Sequence, residues 1–245
     1  MRYRADLHIH SVLSPCGGLE MSPAAIVKAA LDKKIDIIAL ADHNSAGNLK
    51  ALEEAARGKI TLFYGLEIQS VSETHLLALF GDRRSAEAMG DYLYPRLPMI
   101  PNDPDYFGDQ VVVDSQDRII RMEEKLLLQS VDLEIEEITE EVHKRGGLVF
   151  FSHIDRDTFS VISQLGFIPQ DTRVDGMEIS RNLSLQRARD KYETYSHFPF
   201  ITNSDAHLIG DVGCVSTTYE LEEPTFEEFR LAVRGAEGRR ILYDA

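Results

Sequence analysis

His8 and His10, in the run Asp6-Leu7-His8-Ile9-His10, stand two residues apart at the end of a short apolar segment. On a strand, alternate side chains share a face, so both imidazoles can reach one ion. Three more apolar runs end on histidine in acidic company: residues 37–41 before Asp42-His43, 148–152 before His153, and 200–203 before Ser204-Asp205-Ala206-His207. A fifth run, 60–66, ends on Glu67, and His75 opens the apolar stretch 75–80. Neutral imidazole suits Zn, Mn or Fe, and a carboxylate shared by two ions holds them roughly 3.5–4 Å apart. Each motif is weak alone; their joint occurrence predicts a metal site.

Such dispersed residues meet only if the fold gathers strand ends on one face, as a barrel of parallel strands does. The apolar runs alternate with helical patterns. Ser22 is placed to cap a helix with Pro23 at its first position. Further helices are expected over 46–57, 133–145, 159–165, 185–195 and 225–235, and strands over 35–41, 60–67, 75–80, 148–153, 176–179 and 200–205. Repeated βα units imply a parallel sheet. Four prolines between Pro95 and Pro104 interrupt the alternation, and residues 111–120 read as a hairpin. The expectation is one domain over 1–245 with an insertion at about 91–132.

The 245 residues suffice for one α/β barrel. With 26 basic against 41 acidic residues the net charge is −15, which argues against a long nucleic acid partner. Two cysteines, Cys16 and Cys214, make no disulfide framework. The first residues lack a signal-peptide core, and no stretch is apolar enough to span a bilayer. A cytoplasmic protein without a membrane partner is expected.

The segments Asp6–Ser11, Asp42-His43, Gly65-Leu66-Glu67, His75-Leu76-Leu77, Ser152-His153 and Ser204–His207 together resemble the polymerase and histidinol phosphatase (PHP) superfamily, in that family's order along the chain. The resemblance implies an α/β fold, a distorted seven-stranded (β/α) TIM-like barrel, and phosphoester hydrolysis with two or three divalent ions (Zn, Mn or Fe). It implies a first ion held by His8, His10, Glu67 and Asp205, a second by Glu67, His75 and His153, and a third by His43 and His207. A water between such ions loses its proton near neutral pH and attacks phosphorus. Where three-metal members often carry a further histidine, this chain has Cys16, either a thiolate ligand or a loop cysteine without metal. His143, mid-helix, and His197, ahead of a strand, are read as structural. Asp42 is read as orienting an imidazole, and Asp6 as either functional or an exposed strand residue.

Arg156 and Arg181 follow predicted strands where loops of the same face begin, and guanidinium matches phosphate. The alternative is pairing with Asp155, Asp157 or Glu178. Tyr92, Tyr94, Tyr106 and Phe107 form either a pocket wall or a small apolar cluster. The leading expectation is a metal-dependent phosphoesterase acting on a small phosphorylated metabolite, nucleotide or short oligonucleotide, with Glu67, Asp205, Arg156 and Arg181 in its catalytic set. Two alternatives stand beside it: an amidohydrolase-like enzyme cleaving a non-phosphate bond, and a catalytically silent binding domain. No lysine closes a strand, which disfavours the first, and the near-complete ligand set disfavours the second.

Overall fold

The computed structural model describes residues 1–169 and 171–243. Its first half runs β1 (Arg2–Ile9), α1 (Pro23–Asp32), β2 (Ile37–Leu40), α2 (Leu49–Ala56), β3 (Thr61–Gln69), β4 (His75–Phe80), α3 (Arg83–Leu93), α4 (Pro104–Phe107), β5 (Val111–Val113) and β6 (Ile119–Met122). The second half runs α5 (Ile135–Lys144), β7 (Leu148–Phe151), α6 (Val161–Leu165), β8 (Gly176–Ile179), α7 (Leu185–Lys191), β9 (Phe200–Thr202), β10 (Thr217–Glu220), α8 (Phe226–Arg234) and β11 (Arg240–Leu242). Ser22 caps α1 as expected, its side chain accepting from the Ala25 amide.

The main sheet has nine strands rather than seven, ordered β11-β10-β1-β2-β3-β4-β7-β8-β9. It is also mixed rather than parallel. β4 lies antiparallel to both β3 and β7, because a short turn joins β3 to β4 and leaves no room for a crossover helix. The reversal matters for the site: β4 begins on the rim where its neighbours end, so His75 reaches the same face from a strand's start. β10 and β11 were not foreseen; they extend the sheet beyond β1 as antiparallel strands.

β1 divides its pairing. Its first half, Arg2 to Ala5, pairs with β10, whereas Ile9 at its far end bridges Ala206 and so nearly closes the barrel. Side chains join the seam between these contacts. Asn203 Oδ1 accepts from the Leu7 amide (2.7 Å), and the Asp6 carboxylate accepts from the amides of Ser204 (2.9 Å) and Gly213 (2.7 Å). Asp6 is thus fully buried, correcting the exposed alternative. Burial pushes its carboxyl up to about 6 despite these bonds.

Alternating strand side chains fill two layers. Leu7, Ala39, Phe63, Leu77, Phe150 and Ile201 belong to one buried cluster, and Ile9, Ile38, Leu40, Leu66, Val149 and Met177 to another that meets the helices. Asp91 falls within α3, whose N-cap is Asp82. The hairpin β5–β6 is present, and it docks on the rim through Asn48, which bonds the Val111 carbonyl and the Val113 amide. No described helix is long and apolar enough to cross a membrane.

Candidate metal centre

Glu67, buried near the end of β3, is the hub. Its Oε1 lies 3.0 Å from His75 Nδ1, 3.1 Å from His153 Nε2 and 3.4 Å from His8 Nε2. Its Oε2 lies 3.2 Å from His43 Nδ1 and 3.4 Å from His10 Nε2. Asp205 Oδ1 lies 3.2 Å from His10 Nε2, 3.5 Å from His207 Nδ1 and 3.8 Å from His8 Nε2. Every histidine expected as a ligand is therefore in one cluster. Three groupings have ligand atoms all within 4.8 Å of one another: His8-His10-Glu67, His43-Glu67-His75 and His10-His43-His207. His43 thus faces Glu67 as well as His207, and His10 belongs to two groupings.

The surrounding hydrogen bonds select which ring nitrogen faces inward. His8 Nδ1 donates to both oxygens of Glu178 (2.9 and 3.0 Å), leaving Nε2 toward Glu67. Ser14 donates to Asp42 (2.7 Å) and so accepts from His10 Nδ1 (3.0 Å). His75 Nε2 donates to Gln69 Oε1 (3.0 Å) while Phe159 stacks on its ring at 4.8 Å. His207 Nδ1 donates to the Asp205 carbonyl (2.9 Å). Asp42 therefore acts on His10 through Ser14.

Glu178 is the residue that sequence reasoning missed, having been considered only as an arginine partner. Fully buried on β8, it also accepts from Asn203 Nδ2 (2.8 Å) and the His153 amide (3.2 Å). The available signal was a carboxylate inside the otherwise apolar Gly176-Met177-Glu178-Ile179.

Loss of water alone would discharge His8 and His10, yet the facing carboxylates prevail. Glu178, Glu67 and Asp205 hold His8 well above the ordinary imidazole range, and Asp205 and Glu67 carry His10 up to about 9. The imidazoles in turn keep Glu67 and Asp205 well below the carboxylate range, against the opposing effect of burial. Burial and the His10 charge push His43 well down and His207 down to about 4.

The cluster fits divalent ions on its own evidence. His43 Nδ1, His75 Nδ1 and Asp205 Oδ1 are buried without a well-directed hydrogen bond, a costly state unless a cation completes them. Backbone strain is present here too: His153 (φ 29°), Asp205 (φ 48°) and Asn44 (φ 49°) occupy the left-handed region, at about 1–3 kcal/mol each.

The two arginines differ. Arg156 places Nη2 2.7 Å from Asp205 Oδ2 at the edge of the cluster. Arg181 is held by Asp211 at 2.8 Å, a partner not anticipated. His143 pairs with Asp175 (2.8 Å) and His197 lies tilted against Phe198, both outside the cluster. A cavity of ≈ 540 Å³ opens beside Asn44, with Tyr94 and Arg121 of the interrupting segment in its wall. Tyr106 and Phe107 pack on each other instead, and Arg96 covers the Tyr92 ring.

The chain is similar in sequence and fold to several known proteins. The chain is 25% identical over 270 residues to the uncharacterized protein YqxK of Bacillus subtilis (strain 168), covering 97% of this chain and 63% of that protein. Its fold is similar to the lesion-specific endonuclease PfuEndoQ of Pyrococcus furiosus, with 19% identity, 98% of this chain, 58% of that chain and a TM-score of 0.73. An endonuclease Q complex with a 27-mer duplex substrate carrying an abasic lesion matches at 18% identity, with the same coverage and TM-score. A metal-dependent phosphoesterase from Bifidobacterium adolescentis matches at 18% identity over 83% of this chain and 87% of that one, with a TM-score of 0.56. This chain spans about three fifths of the length of YqxK and of the endonuclease Q chains. Exclusion of long nucleic acid on net charge is thereby left without support, since a protein of this fold is in complex with duplex DNA. The PHP-associated family model matches residues 183–237. The PHP domain model matches residues 6–175, and the chain belongs to the PHP domain family.

Proposed function

We propose that this chain is a metal-dependent hydrolase of phosphoester bonds. The observation that carries the reading is the convergence of five imidazoles on the buried Glu67, with the Asp205 carboxylate beside it. His8, His10, Glu67 and Asp205 would hold one ion, Glu67, His75 and His153 a second, and His43 and His207 a third. Divalent ions so held supply positive charge toward phosphoryl oxygens and ease ionisation of a water near neutral pH.

The chain's own residues account for the rest. Glu178, Ser14 and Gln69 fix the ring nitrogens turned inward. Arg156, on the loop after β7, would hand its guanidinium from Asp205 to a phosphoryl oxygen. Arg181 lies on the next loop and would reach an extended substrate only by leaving Asp211. His207, the most exposed of these histidines at 28%, marks the side open to solvent. A phosphate at that opening meets imidazoles and Arg156, so a strongly acidic exterior does not bar an anionic substrate.

The substrate class we favour is a phosphomonoester, nucleotide or nucleic acid strand. Assay of protein loaded with Zn, Mn or Fe against an aryl phosphate, a nucleotide panel and single- and double-stranded oligonucleotides would rank these. Absence of turnover with every metal and every substrate would refute the proposal. Glu67→Gln, which replaces the shared carboxylate, should lose turnover on whichever substrate responds.

A further inference from the structure

Cys16 lies on the loop between β1 and α1, and its Sγ is 3.4 Å from His43 Nε2. That nitrogen is the one not facing Glu67. The His43 ring centroid lies 4.6 Å from that of His10, which stacks at 4.3 Å on His207. The sulphur therefore stands against the His43 member of the His10-His43-His207 grouping, whose other members lie 3.2 Å (His10 Nε2) and 3.5 Å (His207 Nδ1) from the buried Asp205 Oδ1, an oxygen without a well-directed hydrogen bond.

The loop is built to keep it there. A side chain at Gly17 would meet the Ser11 and Ser14 carbonyls at 2.9 and 3.1 Å. The Gly18 amide donates to the His207 carbonyl at 2.8 Å, tying the cysteine loop to the histidine loop. From outside, Gly108 (φ +101°) presses on the Pro15 carbonyl so closely that a Cβ would sit 2.3 Å from that oxygen. The segment between α3 and α5 thus clamps the Cys16 loop against His43.

We propose that Cys16 supplies a thiolate to the third ion, making that position a sulphur–nitrogen site distinct from the two positions centred on Glu67. The inference rests on the metal-dependent reading above. On binding, the thiol gives its proton to solvent and the sulphur lone pair goes to the ion, as with any coordinating thiol. A site of this composition favours Zn, Co and Fe over Mn and Mg, whose preference is for oxygen ligands. Because Cys16 is otherwise exposed, alkylation would abolish the third position while sparing the other two.

Cobalt(II) titration of the full-length, chelator-treated protein tests this directly. Wild type should develop a sulphur-to-cobalt charge-transfer band in the near ultraviolet, in addition to the visible bands of nitrogen- and oxygen-ligated cobalt. Cys16→Ser should lose the charge-transfer band and one equivalent of cobalt while keeping the visible bands, and Cys214→Ser should retain everything. Zinc should suppress alkylation of Cys16 about a hundredfold at a free concentration a hundred times its dissociation constant. Visible bands without a charge-transfer band, or alkylation indifferent to zinc, would overturn the thiolate assignment alone. Absence of any cobalt binding would overturn the metal-dependent reading with it.

Discussion

Replacing Glu178 by glutamine tests whether a residue that touches no substrate governs the metal centre. The carboxylate accepts from three donors: His8 Nδ1 at both oxygens, Asn203 Nδ2 at Oε1 and the His153 amide at Oε2. Glutamine keeps the volume but presents one NH2 group, which must face either Asn203 or His153, themselves donors. One buried donor is then left unpaired, at about 1–3 kcal/mol. For a chain of this size that lowers Tm by about 2–12 °C. The His8 ring simultaneously loses its charged partner, and loss of such a partner typically weakens metal affinity by about 10–100-fold. Thermal melts in chelator isolate the first effect and calorimetric zinc titration the second. A variant with lowered Tm but wild-type affinity at every zinc site would refute the orienting role and leave Glu178 as a packing residue.

Arg156→Ala should reduce kcat/KM on the preferred phosphoester about ten- to a hundredfold, from loss of a charged hydrogen bond of about 1.5–3 kcal/mol, with metal content unchanged by elemental analysis; unchanged kinetics would remove Arg156 from the site. Asp6 has its carboxyl raised from 3.8 to about 6, so the stability it contributes is complete below pH ~4 and is lost as pH rises through about 6. Asp6→Asn should therefore gain on wild type by about 2 kcal/mol between pH 4 and 7 in chelator melts; a gap constant with pH would count against a protonated Asp6. Metal removal should destabilise the protein: at a thousandfold excess over the dissociation constant each ion adds about 4 kcal/mol, or about 8–16 °C in Tm, and equal melting with and without metal would argue against these sites.

The candidate ligands were legible because each closes or opens an apolar run, and strand ends share a rim. What could not be read from single runs was direction. His75 opens its apolar run, and a strand's start reaches the ligand rim only because β4 is reversed, which follows from the short β3–β4 turn rather than from its composition. β10, Thr217-Thr218-Tyr219-Glu220, alternates in burial and ends in charge, so it lacked the continuous apolar run that marked the other strands. α3 carries Arg83, Arg84, Glu87 and Asp91 around a narrow buried stripe of Ala86, Met89 and Leu93, a weak signal ahead of a proline-rich stretch. The partners of the ligands were the least legible: Ser14, Gln69 and Glu178 are ordinary polar residues until the fold sets them against a ring nitrogen.

The divided pairing of β1 makes the last strands part of the metal centre's scaffold although they supply none of the proposed ligands. β1 carries His8, and His10 follows directly on its last residue. β10 shields one edge of its opening half, and the Met1 amino group bonds the Leu221 carbonyl at 2.5 Å. Peeling β10 and β11 away would leave Arg2 and Tyr3 without a strand partner and Ala5 paired only with Ile37 of β2, with the Asp6 and Asn203 side chains bearing the seam. Amide exchange near His8 should then follow the opening free energy of residues 217–242, so that remote lesions near the last strands act as metal-retention defects.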